Sequence, residues 1–235
     1  MNDQLAGKLA LVAGGTGALG SAVALAFLEQ GGTVVVTYRR QAEFDQLRHA
    51  AGAQASRLEG QVVDVTDQSA VNRLVESVIS KHGNLDAMTN CVGGYAAGKK
   101  LWETDGKTLE QMLALNLISV YVLLRAVVPL MLRLERGAIV NVASTAAIDH
   151  AAAASAYVAS KSAAVALVDS LAADLKGTGV RVNSILPRII DTEANRKAMP
   201  NADYTTWTKA QDIARIILFL CSDRAQAIHG ASIPV

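Results

Sequence analysis

The sequence predicts a single-domain α/β protein over residues 1–235, a doubly wound parallel sheet of about seven strands with helices on both faces. Three observations predict it. β-rich runs alternate with helical runs without any Pro- or Ser-rich linker, and that alternation builds parallel sheets covered on both sides. Most strand-like runs are apolar without interruption, which calls for burial on both faces rather than one. A glycine-rich turn, Gly14-Gly15-Thr16-Gly17-Ala18-Leu19-Gly20, joins the first strand run to the first helical run.

Taken in order, strands are expected at 8–13, 33–37, 58–63, 85–91, 137–142, 180–186 and, briefly, 231–235. Helices are expected at 18–30, 42–50, 68–82, 109–134, 155–176 and 210–222, where apolar residues recur at helical spacing. Thr66 or Asp67 can cap the third helix, and Thr108 with Gln111 has capping-box spacing for the fourth. Pro129 should kink or end that fourth helix, because proline lacks the N–H and its ring crowds the preceding turn. Residues 9–28 carry no charge and could span a bilayer by length, but four glycines interrupt them, so a strand, turn and helix is the better reading.

Composition narrows the function. With 51% hydrophobic and 18% charged residues in a 235-residue chain, a large core is available and disorder is excluded. Twenty-two Lys plus Arg against 21 Asp plus Glu leave a formal charge of +1. Such a balance lacks the basic field that draws a protein to nucleic acid or an anionic membrane, and a small-molecule substrate fits better. Two cysteines, Cys91 and Cys221, make no disulfide framework, and no Cys/His cluster has metal-ligand spacing. A cytoplasmic location is expected.

Within the turn, Gly15, Gly17 and Gly20 satisfy G-x-G-x-x-G spacing in the right context, after a strand and opening a helix. The pattern allows a tight turn, close approach to a pyrophosphate and close helix packing, with the anion on the helix N-terminus. The fold is therefore expected to be Rossmann-type. At the end of the second strand, where a carboxylate would bind a ribose 2′-hydroxyl, stand Thr37-Tyr38-Arg39-Arg40. Two guanidiniums favour a 2′-phosphate, so NADP(H) is expected over NAD(H), with NAD(H) still possible.

These residues resemble the short-chain dehydrogenase/reductase family, and the match runs almost to the C-terminus. Asp64-Val65 follows the third strand, where the family's Asp contacts adenine. Asn90-Cys91-Val92-Gly93 stands for Asn-Asn-Ala-Gly, Asn116 lies in the central helix, and Ser144 is followed by Tyr157-Val158-Ala159-Ser160-Lys161. Pro187, Ile190 and Thr192 fall in the segment that lies behind the nicotinamide. The resemblance implies cofactor contacts from Gly14, Gly15, Thr16, Gly17, Leu19, Gly20, Arg39, Arg40, Asp64, Val65, Asn90, Val92, Gly93, Tyr157, Lys161, Pro187, Ile190 and Thr192. It implies a catalytic set of Asn116, Ser144, Tyr157 and Lys161, with Asn116 holding a water that links Lys161 to solvent, and a substrate loop around 188–209. It also implies a homodimer or homotetramer through the helices at 109–134 and 155–176.

The same residues make chemical sense unaided. Tyr157 and Lys161 are four apart on a helix, hence on one face, where an ammonium can stabilise a tyrosinate. Tyr157 is then the acid in carbonyl reduction and the base in alcohol oxidation, and Ser144 can hydrogen-bond the substrate oxygen. Asp64 could instead cap the following helix. Departures from the family pattern are Ala13, Ala18 and Arg188, the last in place of a Gly after Pro187, and the chain stops short of the usual Gly-rich tail.

Segments 14–21, 91–98 and 191–207 are also similar to the quinonoid dihydropteridine reductase branch. That branch generally lacks the Ser and carries an acid after the second strand. Tyr95, Trp102, Tyr157, Tyr204 and Trp207 are five of only ten aromatics, and all fall on segments expected near the substrate, either as stacking faces or as loop anchors. A carbonyl or alcohol substrate, a pterin-like ring, and a non-catalytic NADP(H) sensor are the readings left open.

Overall fold

The coordinates are a computed structural model describing residues 5–235. Seven strands form one parallel sheet: β1 (Leu9–Ala13), β2 (Thr33–Tyr38), β3 (Leu58–Val62), β4 (Ala87–Asn90), β5 (Gly137–Val142), β6 (Val180–Leu186) and, near the C-terminus, β9 (Ser232–Pro234). Their spatial order is β3-β2-β1-β4-β5-β6-β9. The chain leaves β1 in one direction to build β2 and β3 and then returns to the other side of β1 for β4. That reversal opens a crevice beyond the carboxyl ends of β1 and β4, where open α/β sheets bind ligands.

The uninterrupted apolar strands follow from a core on each face. Ala10 and Val12 of β1 join Val34, Val36, Val140 and Ile185 beneath helices α1 (Ala18–Glu29), α2 (Gln41–Ala51) and α9 (Ala210–Cys221). Leu9, Leu11 and Ala13 face the other way, with Val35, Ile139 and Val182, toward α3 (Gln68–His82), α5 (Ser119–Arg133) and α7 (Ser155–Asp174). Successive strand residues point to opposite faces, so a strand buried twice is apolar at nearly every position, and the few polar residues, such as Asn90 and Asn141, are buried and bond one another. The charge-free stretch 9–28 resolves into β1, the glycine turn and most of α1.

Several local expectations are corrected. The fourth helix begins earlier, as α4 (Gly106–Leu113), because Asp105 caps it by accepting from the Lys107 N–H. Thr108 lies inside the first turn and forms no capping box. Pro129, expected to kink or end the helix, does not end it: α5 runs through it to Arg133, held by Val127, Val128, Leu130 and Met131, all buried around the proline. The regular helix instead gives way at Ala114–Ile118, a π-helical turn, and such turns cluster at functional sites. Asp67, not Asp64 or Thr66, caps α3, accepting from the N–H groups of Ser69 and Ala70.

Short elements absent from the sequence reading complete the fold: α6 (Ala146–Asp149), β7 (Ile190–Asp191), α8 (Glu193–Ala198) and β8 (Thr208–Lys209). β7 and β8 pair with each other in a separate two-stranded sheet inside the expected loop at 188–209. Gly106–Arg133 and α7 are long and apolar enough to cross a membrane by length and composition. More than half of the apolar window in the first is buried within the fold, and only a third of that in α7.

Candidate active site

A cleft of about 240 Å³ opens at the carboxyl ends of β1 to β4. Gly14, Thr16, Gly17, Arg39, Asp64, Val65, Val92 and Gly93 line it, as do Thr37 and Glu43. The glycines of the turn serve different needs. A Cβ on Gly20 would sit 2.1 Å from the Gly14 carbonyl oxygen, and one on Gly15 would sit 2.4 Å from the Val36 side chain, so both are imposed by the fold. A Cβ on Gly17 would meet only the Gly14 oxygen at 3.4 Å, an ordinary contact. Its missing side chain is explained by the cleft it lines.

Gly17 also begins α1 without any side-chain cap, and no acidic residue occupies the first turn. The positive end of the helix dipole and unpaired N–H groups therefore face the cleft, a setting suited to a pyrophosphate. Thr37, which the motif does not mark, fixes the turn by accepting from the Gly14 N–H at 2.9 Å. Leu19 and Gly20 are buried behind the cleft, and Asn90 is buried as well, accepting from the Val92 N–H and donating to Asn141. Asp64 accepts from the Thr66 N–H and hydroxyl, and those bonds hold its pKa below the usual value.

At the adenosine end the structure changes the charge count. Arg39 lines the cleft, but Arg40 does not; it is ion-paired with Glu43. Glu43 also accepts from the Thr16 hydroxyl at 3.1 Å. The Arg40 hydrogen bond lowers the Glu43 pKa, so the carboxylate is charged at neutral pH. The end of β2 carries no carboxylate in sequence, yet the first turn of α2 brings one to the same place.

Behind Gly93, which lines the cleft, lie Asn116 and Lys161, with Tyr157 on the same helix as Lys161 and Ser144 beside Tyr157. Ser144 follows β5, is 5% exposed, and accepts from the Ala146 N–H at 3.2 Å. Tyr157 and Lys161 lie one turn apart on α7. Burial raises the Tyr157 pKa, the Ser144 hydroxyl opposes that rise, and Tyr95 adds to it. The expected ammonium-tyrosinate pairing is not the arrangement observed: Lys161 Nζ donates to the Val142 carbonyl at 3.0 Å. Asn116, in the π-helical turn, accepts from the Gly94 N–H at 2.9 Å and donates to the Gly94 carbonyl at 3.0 Å and the Ser160 hydroxyl at 2.9 Å. Asn116 and Lys161 meet at Gly93, where a Cβ would lie 3.0 Å from Asn116 Oδ1 and 3.1 Å from Lys161 Nζ.

Lys161 is 6% exposed, and burial lowers its pKa from 10.5 to about 8. Between those values the unfolded chain holds the proton and the folded chain releases it. The cost of the buried ammonium is therefore full below about pH 8 and is relieved as pH rises toward 10.5. A shift of this size corresponds to about 3 kcal/mol, and losing the bond to Val142 offsets about 1 kcal/mol of it. Lys161→Met is expected to be about 2 kcal/mol more stable than the wild type at pH 7, with the advantage shrinking by about pH 10. Denaturant titrations at the two pH values test this, and a variant less stable at pH 7 would refute it.

The expected aromatics divide into two groups. Trp207 is buried and packs on Tyr204 at 4.8 Å between centroids, Arg196 lies over the Tyr204 ring, and the Tyr204 hydroxyl faces the carbonyls of Arg196, Met199 and Pro200. These two anchor the loop. Tyr95 and Trp102 are 73% and 78% exposed, and Tyr95 meets Tyr157 edge-on at 4.9 Å. Thr192 caps α8 by accepting from the Asn195 N–H, the Ile190 carbonyl accepts from Asn195 Nδ2, and the Pro187 carbonyl accepts from the Thr145 N–H. Arg188 reaches toward Asp149 at 3.6 Å.

The same fold recurs in known proteins. A family model described as short chain dehydrogenase matches residues 8–203. The chain is 28% identical over 240 residues to a 3-oxoacyl-(acyl-carrier-protein) reductase of Thermotoga maritima, covering 99% of this chain and 97% of that protein. It is 32% identical over 241 residues to D-threitol dehydrogenase of Mycolicibacterium smegmatis, covering 99% and 92%. Among solved structures, ElxO with NADP bound superposes with a TM-score of 0.92 at 25% identity, covering 97% of this chain and 96% of that one.

Proposed function

The chain belongs to the short chain dehydrogenase family and is an NAD(P)-dependent oxidoreductase, and from that premise we propose that it interconverts a carbonyl and an alcohol with NADP(H) as preferred cofactor. The observation that carries this reading is that Asn116 and Lys161 meet at Gly93, which lines the cleft, with Tyr157 one turn before Lys161 on α7 and the Ser144 hydroxyl beside Tyr157. Gly14 to Gly20 with the α1 N-terminus would hold the pyrophosphate, Asp64 and Val65 the adenine, and Arg39 a 2′-phosphate. Arg40 joins Arg39 once released from Glu43. Asn90, Val92, Gly93, Pro187, Ile190 and Thr192 would border the nicotinamide.

The bound cofactor supplies or accepts the hydride. Tyr157 gives its phenolic proton to the substrate oxygen during reduction and takes it back from the alcohol during oxidation. Ser144 donates a hydrogen bond to that oxygen as negative charge grows on it. Lys161, moving from the Val142 carbonyl, stabilises the tyrosinate and holds the ribose. Asn116 fixes the Gly93-Gly94 backbone and, through a bound water, the proton path from Lys161 to solvent.

A planar pterin-like substrate is the second reading. It is favoured by Tyr95, whose exposed ring stands against Tyr157 in the segment that resembles the dihydropteridine reductases. A homodimer or homotetramer is part of the proposal, since α7 leaves an apolar, alanine-rich face largely uncovered. So is a cytoplasmic location, consistent with the free thiols of Cys91 and Cys221.

The test is NADPH and NADH consumption against quinonoid dihydropterin, β-ketoacyl thioesters, diketones and steroid ketones, with Arg39→Ala beside the wild type. Arg39→Ala is expected to weaken NADPH about tenfold and NADH little, as loss of one charge-assisted phosphate contact predicts. Equal affinities unchanged by the substitution would remove the NADP(H) preference. Tight NADPH binding without turnover of any substrate would favour a sensor.

A further inference from the structure

Glu43 stands at the end of the cleft that would read the adenosine ribose, and the dinucleotide motif does not mark it. Three contacts fix it there. Thr16 of the glycine turn donates its hydroxyl to Glu43 Oε2 at 3.1 Å, Arg40 Nε donates to Oε1 at 2.9 Å, and the Arg40 Nη2 ion pair falls on the same oxygen. Glu43 lines the cleft together with Arg39 and Asp64, whereas Arg40 does not. Arg39 forms no ion pair of its own among the described residues, but its charge reaches both carboxylates. Two arginines thus face two carboxylates, and the local charge that would attract a 2′-phosphate is cancelled.

We propose that Glu43 is a specificity-determining residue for the cofactor, holding Arg40 out of the cleft, repelling a 2′-phosphate and accepting a hydrogen bond from a free ribose hydroxyl. The proposal rests on the reading of this cleft as a nicotinamide-dinucleotide site. A phosphate dianion beside a carboxylate is disfavoured by like charge, and its arrival must compete with Glu43 for Arg40. A ribose hydroxyl carries no charge and gives the carboxylate a donor. Glu43 therefore narrows the margin between NADP(H) and NAD(H) below what Arg39 and Arg40 alone would set.

Calorimetric titration of the wild type and Glu43→Gln with NADP+, NAD+, 2′,5′-ADP and 5′-AMP tests this without any substrate. Glu43→Gln is expected to bind NADP+ and 2′,5′-ADP about tenfold more tightly, with NAD+ and 5′-AMP unchanged or weaker. Glu43→Ala, which also removes the Thr16 contact, should shift the same way. Unchanged affinity for the phosphorylated pair, or equal tightening of both pairs, would overturn the proposal. A wild type that prefers NAD+ would remove the NADP(H) preference but leave this proposal standing if Glu43→Gln still tightens NADP+ alone. A wild type that binds none of the four would overturn both.

Discussion

Tyr157→Phe is expected to lower turnover about a thousandfold while leaving cofactor affinity within a few-fold of the wild type. The substitution removes one oxygen and keeps the ring that meets Tyr95 edge-on. What is lost is the proton, which Ser144 cannot replace because an aliphatic hydroxyl is a far poorer acid near neutrality. The pH dependence carries its own sign. Burial holds the Tyr157 pKa above its usual value, so the protonated form needed for reduction persists through neutral pH. Alcohol oxidation, which needs the base, should climb with pH into the alkaline range. Stopped assays of both directions from neutral to alkaline pH check this, and a Tyr157→Phe variant that kept more than about a tenth of wild-type turnover would sink the assignment.

Gly20→Ala is expected to destabilise the fold by about 3 kcal/mol and to abolish measurable cofactor binding. The new methyl would lie 2.1 Å from the Gly14 oxygen and 2.9 Å from backbone atoms of Gly14 and Gly15. No side chain can rotate to relieve it, so α1 must back away from β1 and the turn must open. Gly17→Ala provides the contrast. Its methyl finds room within the protein, so unfolding should occur at nearly the wild-type denaturant concentration while NADPH binds at least about tenfold more weakly. Denaturant titration and cofactor binding on both variants separate the two roles. Equal destabilisation of both would show that the distinction between a glycine required by packing and one required by the cleft is wrong.

The elements readable in the sequence were those specified by their own residues. The ranges at 68–82, 137–142 and 180–186 coincide with α3, β5 and β6, because α3 is a periodic run and the two strands are short runs rich in apolar residues. What escaped depends on partners distant in the chain. The π-helical turn at Ala114–Ile118 contains Asn116, whose amide bonds Gly94, 22 positions earlier. β7 and β8 are two residues each and exist through pairing with one another across the loop at 188–209. Pro129, expected to kink or end its helix, does not end it, because the burial of its neighbours, which outweighs one missing hydrogen bond, is a tertiary property.

The candidate site shows the same division. Ser144, Tyr157, Lys161 and the glycine turn carry their chemistry in their spacing. Glu43 does not, since only the fold of α2 against the turn brings it to Thr16. The direction of the Lys161 ammonium, toward Val142 rather than the phenol, is likewise invisible until β5 and α7 are packed together.

The strand β1 has a consequence for how the molecule comes apart. Leu11 and Val12 are adjacent, both fully buried, and belong to opposite cores. Like a party wall between two rooms, the strand cannot be withdrawn from one side without stripping the other. The helical layers are therefore not independent modules, and loss of packing on either face is expected to disturb the other through the shared strand. The glycine turn hangs from the carboxyl end of that wall, so a disturbance of either core reaches the turn through β1.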